Sequence, residues 1–304
     1  MKHDVAGDPI TGVKWTRRTT EKIAGELRSM DIEISARTVA RLLKDLHYSL
    51  CVNQKRVSLG SGPDRNEQFE HISDQRNSFT DRNLPIVSID TKKKEKVGNF
   101  KNNGAAWGKE PELVLDHDFP SYATGKAAPY GIYDLRANHG AVFVGVSKDT
   151  PDFAVDNLAR WWRTEGVHRY PKAGELLVLA DGGGSNGPRC RAFKYGLQTR
   201  LCDAFGISVT ICHYPAGASK WNPIEHRLFS QISKNWAGCP LRDYETILNY
   251  ISTTRTKTGL VVTAELIDQE YLGGVKIPDA LMATIDLHSH ETQPLRNYTI
   301  RPCA

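Results

Sequence analysis

Asp90, Asp181 and Glu225 are the residues whose types and settings in this 304-residue chain suggest chemistry. Asp90 closes a short apolar run, LPIVSID. Asp181 closes a second, ELLVLAD, and is followed by GGGSNG. Glu225 lies in HYPAGASKWNPIEHRLF, where an apolar strand end gives way to a helix start. Both runs read as buried strands. If they are parallel neighbours, their C-terminal ends place both carboxylates in one crevice, where α/β sheets bind ligands. Glu225, on a helix reached from the next strand, can lean over the same crevice. Three close carboxylates raise one another's pKa unless a cation joins them. Oxygen-only ligation favours Mg²⁺ or Mn²⁺. Two such ions ~3.5–4 Å apart form a clamp for in-line phosphoryl transfer, acidifying the attacking water or 3′-hydroxyl and neutralising the leaving oxygen. The glycines after Asp181 let a nucleic-acid strand approach the backbone closely.

Plainer readings compete. An Asp at a strand end is often a turn residue. Asn222 as N-cap, Pro223 at N1 and Glu225 at N3 form a capping box, and that helix taken alone favours the cap. The three positions together favour a site, and capping leaves the glycine run unexplained. Around Glu225, Lys220 and Arg227 could grip a DNA backbone and Trp221 could stack on a base or pack beneath its loop. Lys92, Lys93 and Lys94 are read equally as phosphate contacts or a solvated turn. His213 is read as structural, and Asp116, His117 and Asp118 as a loop, since contiguous strand residues cannot converge. The run after Asp181 lacks the Gly-Lys-Ser/Thr of a P-loop.

The elements that must position these residues begin with two short helices. Ser35 can cap the second, residues 36–47, on which Val39, Leu42, Leu43 and Leu46 share one face and Arg37, Arg41 and Lys44 the other. The pair reads as a helix-turn-helix whose basic face meets DNA, or as a solvated face of a small bundle. The expected division is a linker stub (1–13), a helix-turn-helix DNA-binding module (14–50), a linker and connecting helix (51–83), a catalytic domain (84–255) and a C-terminal extension without an assigned role (256–304). From residue 84 the order is three strands, then helix, strand, helix, strand, helix. That alternation implies an α/β sheet with parallel members.

An apolar content of 39% and a charged content of 25% are those of a soluble globular protein. No apolar run is long enough for a membrane span, and no secretory signal opens the chain. Six scattered Cys without CxxC spacing suit free thiols in the cytoplasm, with Cys190, Cys202 and Cys212 read as small buried apolar residues. The net charge of +5 permits a polyanionic partner without requiring one.

Asp90 in VSIDTKKKE, Asp181 in VLADGGGSNG and Glu225 in HYPAGASKWNPIEH resemble the DDE triad of bacterial insertion-sequence transposases, and Asn-Pro-Ile-Glu resembles the third motif of the mariner-like branch. GNFKNNGAAW, YGIYDLRANHGAVFVGVS, FAVDNLARWW, GLQTRLCD and HRLFSQISKNWAG are similar to the ISAzo-type group, and the resemblance covers nearly the whole chain. It implies a ribonuclease H-like mixed sheet flanked by helices, behind an all-α helix-turn-helix module. It implies metal-ligand roles for Asp90, Asp181 and Glu225, with two Mg²⁺ or Mn²⁺ ions per site. It also implies hydrolysis at transposon ends and strand transfer into target DNA, on double-stranded DNA with terminal inverted repeats, by a homo-oligomer. The spacing from Asp181 to Glu225 is wider than in mariner-like relatives. The chain begins near what resembles the middle of the DNA-binding region, so a first helical module is expected to be missing. Two further readings are an inactive remnant that binds DNA through Arg37, Arg41 and Lys44, and a metal-dependent nuclease that cuts without joining.

Overall fold

The computed structural model describes residues 6–7, 14–15, 19–49 and 64–303. The chain divides into two units, Met1–Val57 and Ser58–Ala304. Apart from residues 6–7, the expected linker stub lies outside the described residues, as do residues 51–63 of the second linker.

In the first unit β1 (Ala6–Gly7) pairs antiparallel with β2 (Lys14–Trp15), so the helical pattern expected from residue 14 starts later. It starts at α1 (Thr20–Arg28), where Thr19 accepts a hydrogen bond from the Lys22 amide. α2 (Ala36–Asp45) begins at the expected cap, Ser35, which accepts from Thr38 N at 3.2 Å. Ile23, Ala24 and Val39 bury together, with Leu27, Ile34 and Leu43 packed against them. Leu42 and Leu46, expected on the buried face, are 43% and 66% exposed. α1 covers the stripe through Val39 and Leu43; Leu42 lies to one side of it, and Leu46, in line with it, is the C-cap residue past the end of the helix. Arg37, Arg41 and Lys44 are exposed, as expected.

The second unit opens with α3 (Asp64–Asp81), followed by β3 (Ile86–Thr91), β4 (Glu95–Val97), β5 (Gly125–Asp134) and β6 (His139–Gly145). α4 (Pro151–Trp161) widens into a π turn at Trp162–Gly166 and ends as α5 (Val167–Arg169). After β7 (Glu175–Ala180) come α6 (Arg191–Leu197), a π turn at Gln198–Cys202, α7 (Asp203–Phe205) and β8 (Ser208–His213). A π turn at Glu225–Phe229 runs into α8 (Ser230–Asn235). The chain closes with α9 (Tyr244–Ser252), β9 (Val261–Ile267), α10 (Asp279–Met282), β10 (Leu287–Ser289) and β11 (Asn297–Ile300).

The strands order as β10-β11-β8-β7-β3-β5-β6-β9, with β4 beside β5. β3, β7 and β8 run parallel, and β5 and β6 form an antiparallel meander from β3. This is the mixed sheet flanked by helices expected of a ribonuclease H-like fold. β9 adds to β6 and β11 to β8, so residues 256–304 extend both edges of that sheet. α3, expected as a connecting helix, packs Ile72 and Phe79 against Ile86, Leu177 and Leu179. Among the described residues no helix is long and apolar enough to cross a membrane.

Strand parity decides where the acids point. Val87, Ile89, Leu176, Val178 and Ala180 turn to the face covered by α4 and α6, with Phe153, Trp161 and Phe193. Burial of each large side chain contributes about 1.5–3 kcal/mol. Ile86, Leu177 and Leu179 turn to the α3 face. Asp90 shares the parity of Ile86, and Asp181 that of Leu177 and Leu179, so both carboxylates leave on the α3 face.

Candidate active site

Ile89 pairs with Ala180 across the parallel β3–β7 ladder. Asp90 and Asp181 are the next residue on each strand, and therefore neighbours at the C-terminal edge of the sheet. Each is held by local main chain: Thr91 N donates to Asp90 Oδ1 at 2.7 Å, and Gly183 N donates to Asp181 Oδ1 at 3.0 Å.

Glu225 arrives on the same face. Asp90 pairs with Gly131 on β5. A Cβ built on Gly131 would stand 2.6 Å from Phe229 Cε1 and 2.9 Å from Ile224 Cδ1, so only glycine lets the Glu225 helix lie directly on the strand beside Asp90. Ile224, Leu228 and Ile232 bury along that helix with Phe229 and Trp236. Its first turn is π-helical from Glu225 to Phe229, a geometry that recurs at functional sites.

The three carboxyls sense one another. Burial pushes Asp90 up to about 8, with Asp181, Glu225 and Asp149 adding repulsion and the Thr91 amide opposing. Burial raises Asp181 against the pull of the Gly183 amide. Burial raises Glu225 as well; His226 and Lys92 oppose, Asp181 reinforces, and a hydrogen bond with Asp90 opposes. The three acids expected from the sequence lie near enough to repel one another, and by donor type they suit an oxygen-only cation site; among the described residues no group of three or more His, Cys, Asp or Glu side chains is arranged so that it could hold a metal ion.

The expected capping box is replaced. Asn222 is fully buried and its side chain does not cap its own helix. Ser88 Oγ donates to Asn222 Oδ1, Asn222 Nδ2 donates to Ile89 O at 3.3 Å, and Ser88 Oγ accepts from Ile224 N at 3.1 Å. The helix is capped from β3, and Glu225 is left to face Asp90. Sequence reading missed Ser88; the available signal was its place two residues before Asp90, on the same strand face.

The loop after Asp181 is fixed at its centre. Ser185 Oγ donates to Asp149 Oδ1 at 2.9 Å, and the fully buried Tyr130 hydroxyl donates to Asn186 Oδ1 at 3.2 Å. His213 Nε2 lies 2.7 Å from Asn186 O and its Nδ1 2.9 Å from Arg296 O. Gly184 has φ +65°, and no heavy atom would lie within 4 Å of a Cβ there, so this stretch of backbone is open on one side.

Lys220, Trp221 and Arg227 are exposed. Trp221 sets its edge against Phe69, with ring centroids 5.9 Å apart, keeps 57% of its surface open, and has Lys220 Nζ 5.4 Å from its ring centroid. Lys92 is buried against Glu95, at 3.0 Å, and over the Trp236 ring, whereas Lys93 and Lys94 are exposed. Asp116, His117 and Asp118 are an exposed loop. Cys202 and Cys212 are buried; Cys190 is only partly so.

A family model described as the Rhodopirellula transposase DDE domain matches residues 1–302. Among solved structures, the Mos1 transposase paired-end complex with left transposon end is similar at TM-score 0.47 and 16% identity, covering 77% of this chain and 65% of that chain. The Mos1 mariner paired end complex with Mn is similar at TM-score 0.45 and 17% identity, covering 77% and 65%. The chain thus spans just under two thirds of the Mos1 chain. No curated protein matches it.

Proposed function

The chain belongs to the DDE transposase family whose model spans it, and on that premise we propose that it cuts DNA at transposon ends and joins the freed ends to target DNA. What supports the reading is that Asp90 and Asp181 lie side by side at the C-terminal edge of the β3–β7 pair, with Glu225 on the helix that packs over Gly131, the ladder partner of Asp90 on β5. The three carboxyls fit divalent cations by donor type, since every atom they offer is oxygen, and a cation relieves the repulsion that adds to burial in raising Asp90. Asp90, Asp181 and Glu225 would hold two Mg²⁺ or Mn²⁺ ions. When bound, the ions supply positive charge at the scissile phosphate and acidify the attacking oxygen.

The chain's own residues do the rest. A water oxygen attacks the phosphodiester phosphorus at the element's end, and the departing oxygen becomes a 3′-hydroxyl. That hydroxyl then attacks a phosphodiester of target DNA in the same manner. Both steps are phosphoryl transfers, so positioning and charge neutralisation dominate. Lys220 and Arg227 grip phosphates beside Glu225, and Trp221 stacks on an unpaired base. The open backbone around Gly184 admits the strand. Arg37, Arg41 and Lys44 on α2 contact terminal-repeat duplex, and more than one copy of the chain assembles on paired ends.

The test is incubation of purified protein with Mg²⁺ or Mn²⁺ and labelled terminal-repeat DNA. Joined products are expected. Nicks alone would indicate a nuclease that does not join, and bound but uncut duplex a DNA-binding remnant. Asp181→Asn is expected to abolish chemistry and retain binding; normal cleavage by that variant would refute the site.

A further inference from the structure

We propose that Ser88 and Asn222 form a latch that sets Glu225 against Asp90, acting as a pair of positioning residues for the reaction. The inference rests on the assignment of Asp90, Asp181 and Glu225 as the reacting centre.

Ser88 and Asn222 are both fully buried. Buried polar side chains are costly unless every group is paired. Here the pairing is complete in one direction of donation. The Ile224 amide donates to Ser88 Oγ, Ser88 Oγ donates to Asn222 Oδ1, and Asn222 Nδ2 donates to the Ile89 carbonyl. Three hydrogen bonds thus tie one turn of helix to two consecutive residues of a central strand, Ser88 and Ile89. They also bring the two acids to one place. Ser88 stands two residues before Asp90 on the same strand face, Asn222 stands one turn before Glu225, and the Glu225 helix packs over Gly131, the ladder partner of Asp90.

An apolar pair of the same volume would pack the helix on the sheet without fixing its register along β3. The polar pair fixes that register, because displacement by one residue would break all three bonds. Groups that orient ligating side chains in this way typically change activity by about 10–100-fold when removed.

The experiment compares Ser88→Ala, Asn222→Ala, the double variant and Asp181→Asn, all full chain, in cleavage of labelled terminal-repeat DNA below the melting temperature of the weakest variant. Each single substitution is expected to lower kcat by about 10–100-fold and to leave KM for the DNA unchanged. The double variant is expected to lose no more than the worse single, because the pair acts as a unit. In metal-free and DNA-free protein, amide exchange at residues 225–229 is expected to rise in both single variants. Wild-type kcat in both, multiplying losses in the double, or a loss confined to KM would overturn the latch. Normal cleavage by Asp181→Asn would instead overturn the assignment of the centre beneath it.

Discussion

Asp90 sits between burial, which disfavours its charge, and three further acids, Asp181, Glu225 and Asp149, which disfavour it again; its carboxyl is pushed to about 8 from an ordinary 3.8. The linkage has a definite sign. Between about pH 4 and pH 8 the native metal-free protein keeps a proton that the unfolded chain has released. Stability is therefore greatest below the unfolded value and falls as pH rises through this window, by up to ~1.4 kcal/mol per pH unit for the one proton. Asp90→Asn supplies a neutral group of the same shape that can still accept from Thr91 and donate to Glu225. In chelator-treated protein this variant is expected to be more stable than wild type above neutrality, with a flatter pH dependence. Urea unfolding at several pH values checks it; an unchanged slope would mean that the wild-type carboxyl is already ionised there. Added Mg²⁺ is expected to narrow the difference, since a cation takes over the proton's part in relieving repulsion.

At the scale of elements, the Glu225 helix is located by what β5 lacks. Gly131→Ala puts a methyl group within 3 Å of both Phe229 and Ile224. Overpacking of this kind costs about 1–3 kcal/mol, and the helix must lift from the strand beside Asp90. Loss of cleavage is expected together with a lowered melting temperature, whereas a variant with unchanged rate would show that the helix can shift without moving Glu225. His213 is the corresponding fixture for the Asp181 loop, because its ring joins Asn186 O to Arg296 O just ahead of β11. Burial holds its pKa below the ordinary histidine range while both carbonyls pull the other way. His213→Ala strands the Asn186 carbonyl at a cost of about 1–3 kcal/mol, while Arg296 O still accepts from the residue-213 amide, and faster amide exchange is expected across residues 182–187. Much of this arrangement was legible in the sequence. The runs ending at Asp90 and Asp181 are apolar from Ile86 and from Leu176 except at Ser88, because both faces of their strands are covered, and the Ile224, Leu228, Ile232 spacing marks a helix. The role of Asn222 was not legible, since its partner Ser88 lies 134 residues away and local grammar favours a cap. β9 and β10 escaped for a different reason. As outer strands they carry exposed residues at most positions: β10 is only Leu-His-Ser, and the apolar residues of β9, Val-Val-Thr-Ala-Glu-Leu-Ile, are broken by Thr263 and Glu265.

Across the whole molecule the charge is modest, +5 over 304 residues, so affinity for DNA must come from where the cations are grouped. Arg37, Arg41 and Lys44 recur on one exposed face of α2, in a unit where, among the described residues, Ile23, Ala24 and Val39 bury together. Each phosphate contact releases counterions, and the affinity then falls with salt by roughly one logarithmic unit per tenfold change for each contact. Replacing all three with Ala is therefore expected to weaken terminal-repeat binding and to make its salt dependence shallower by about three in slope. Because Asp90, Asp181 and Glu225 belong to the other unit, kcat at saturating DNA is expected to survive. Fluorescence anisotropy across a salt series measures the slope, and single-turnover cleavage at saturating DNA measures the rate. An unchanged slope would remove α2 from the DNA interface and leave Lys220, Arg227 and their surroundings to hold the duplex. A lost rate at saturation would mean that α2 contributes to the chemistry itself and not to recognition alone.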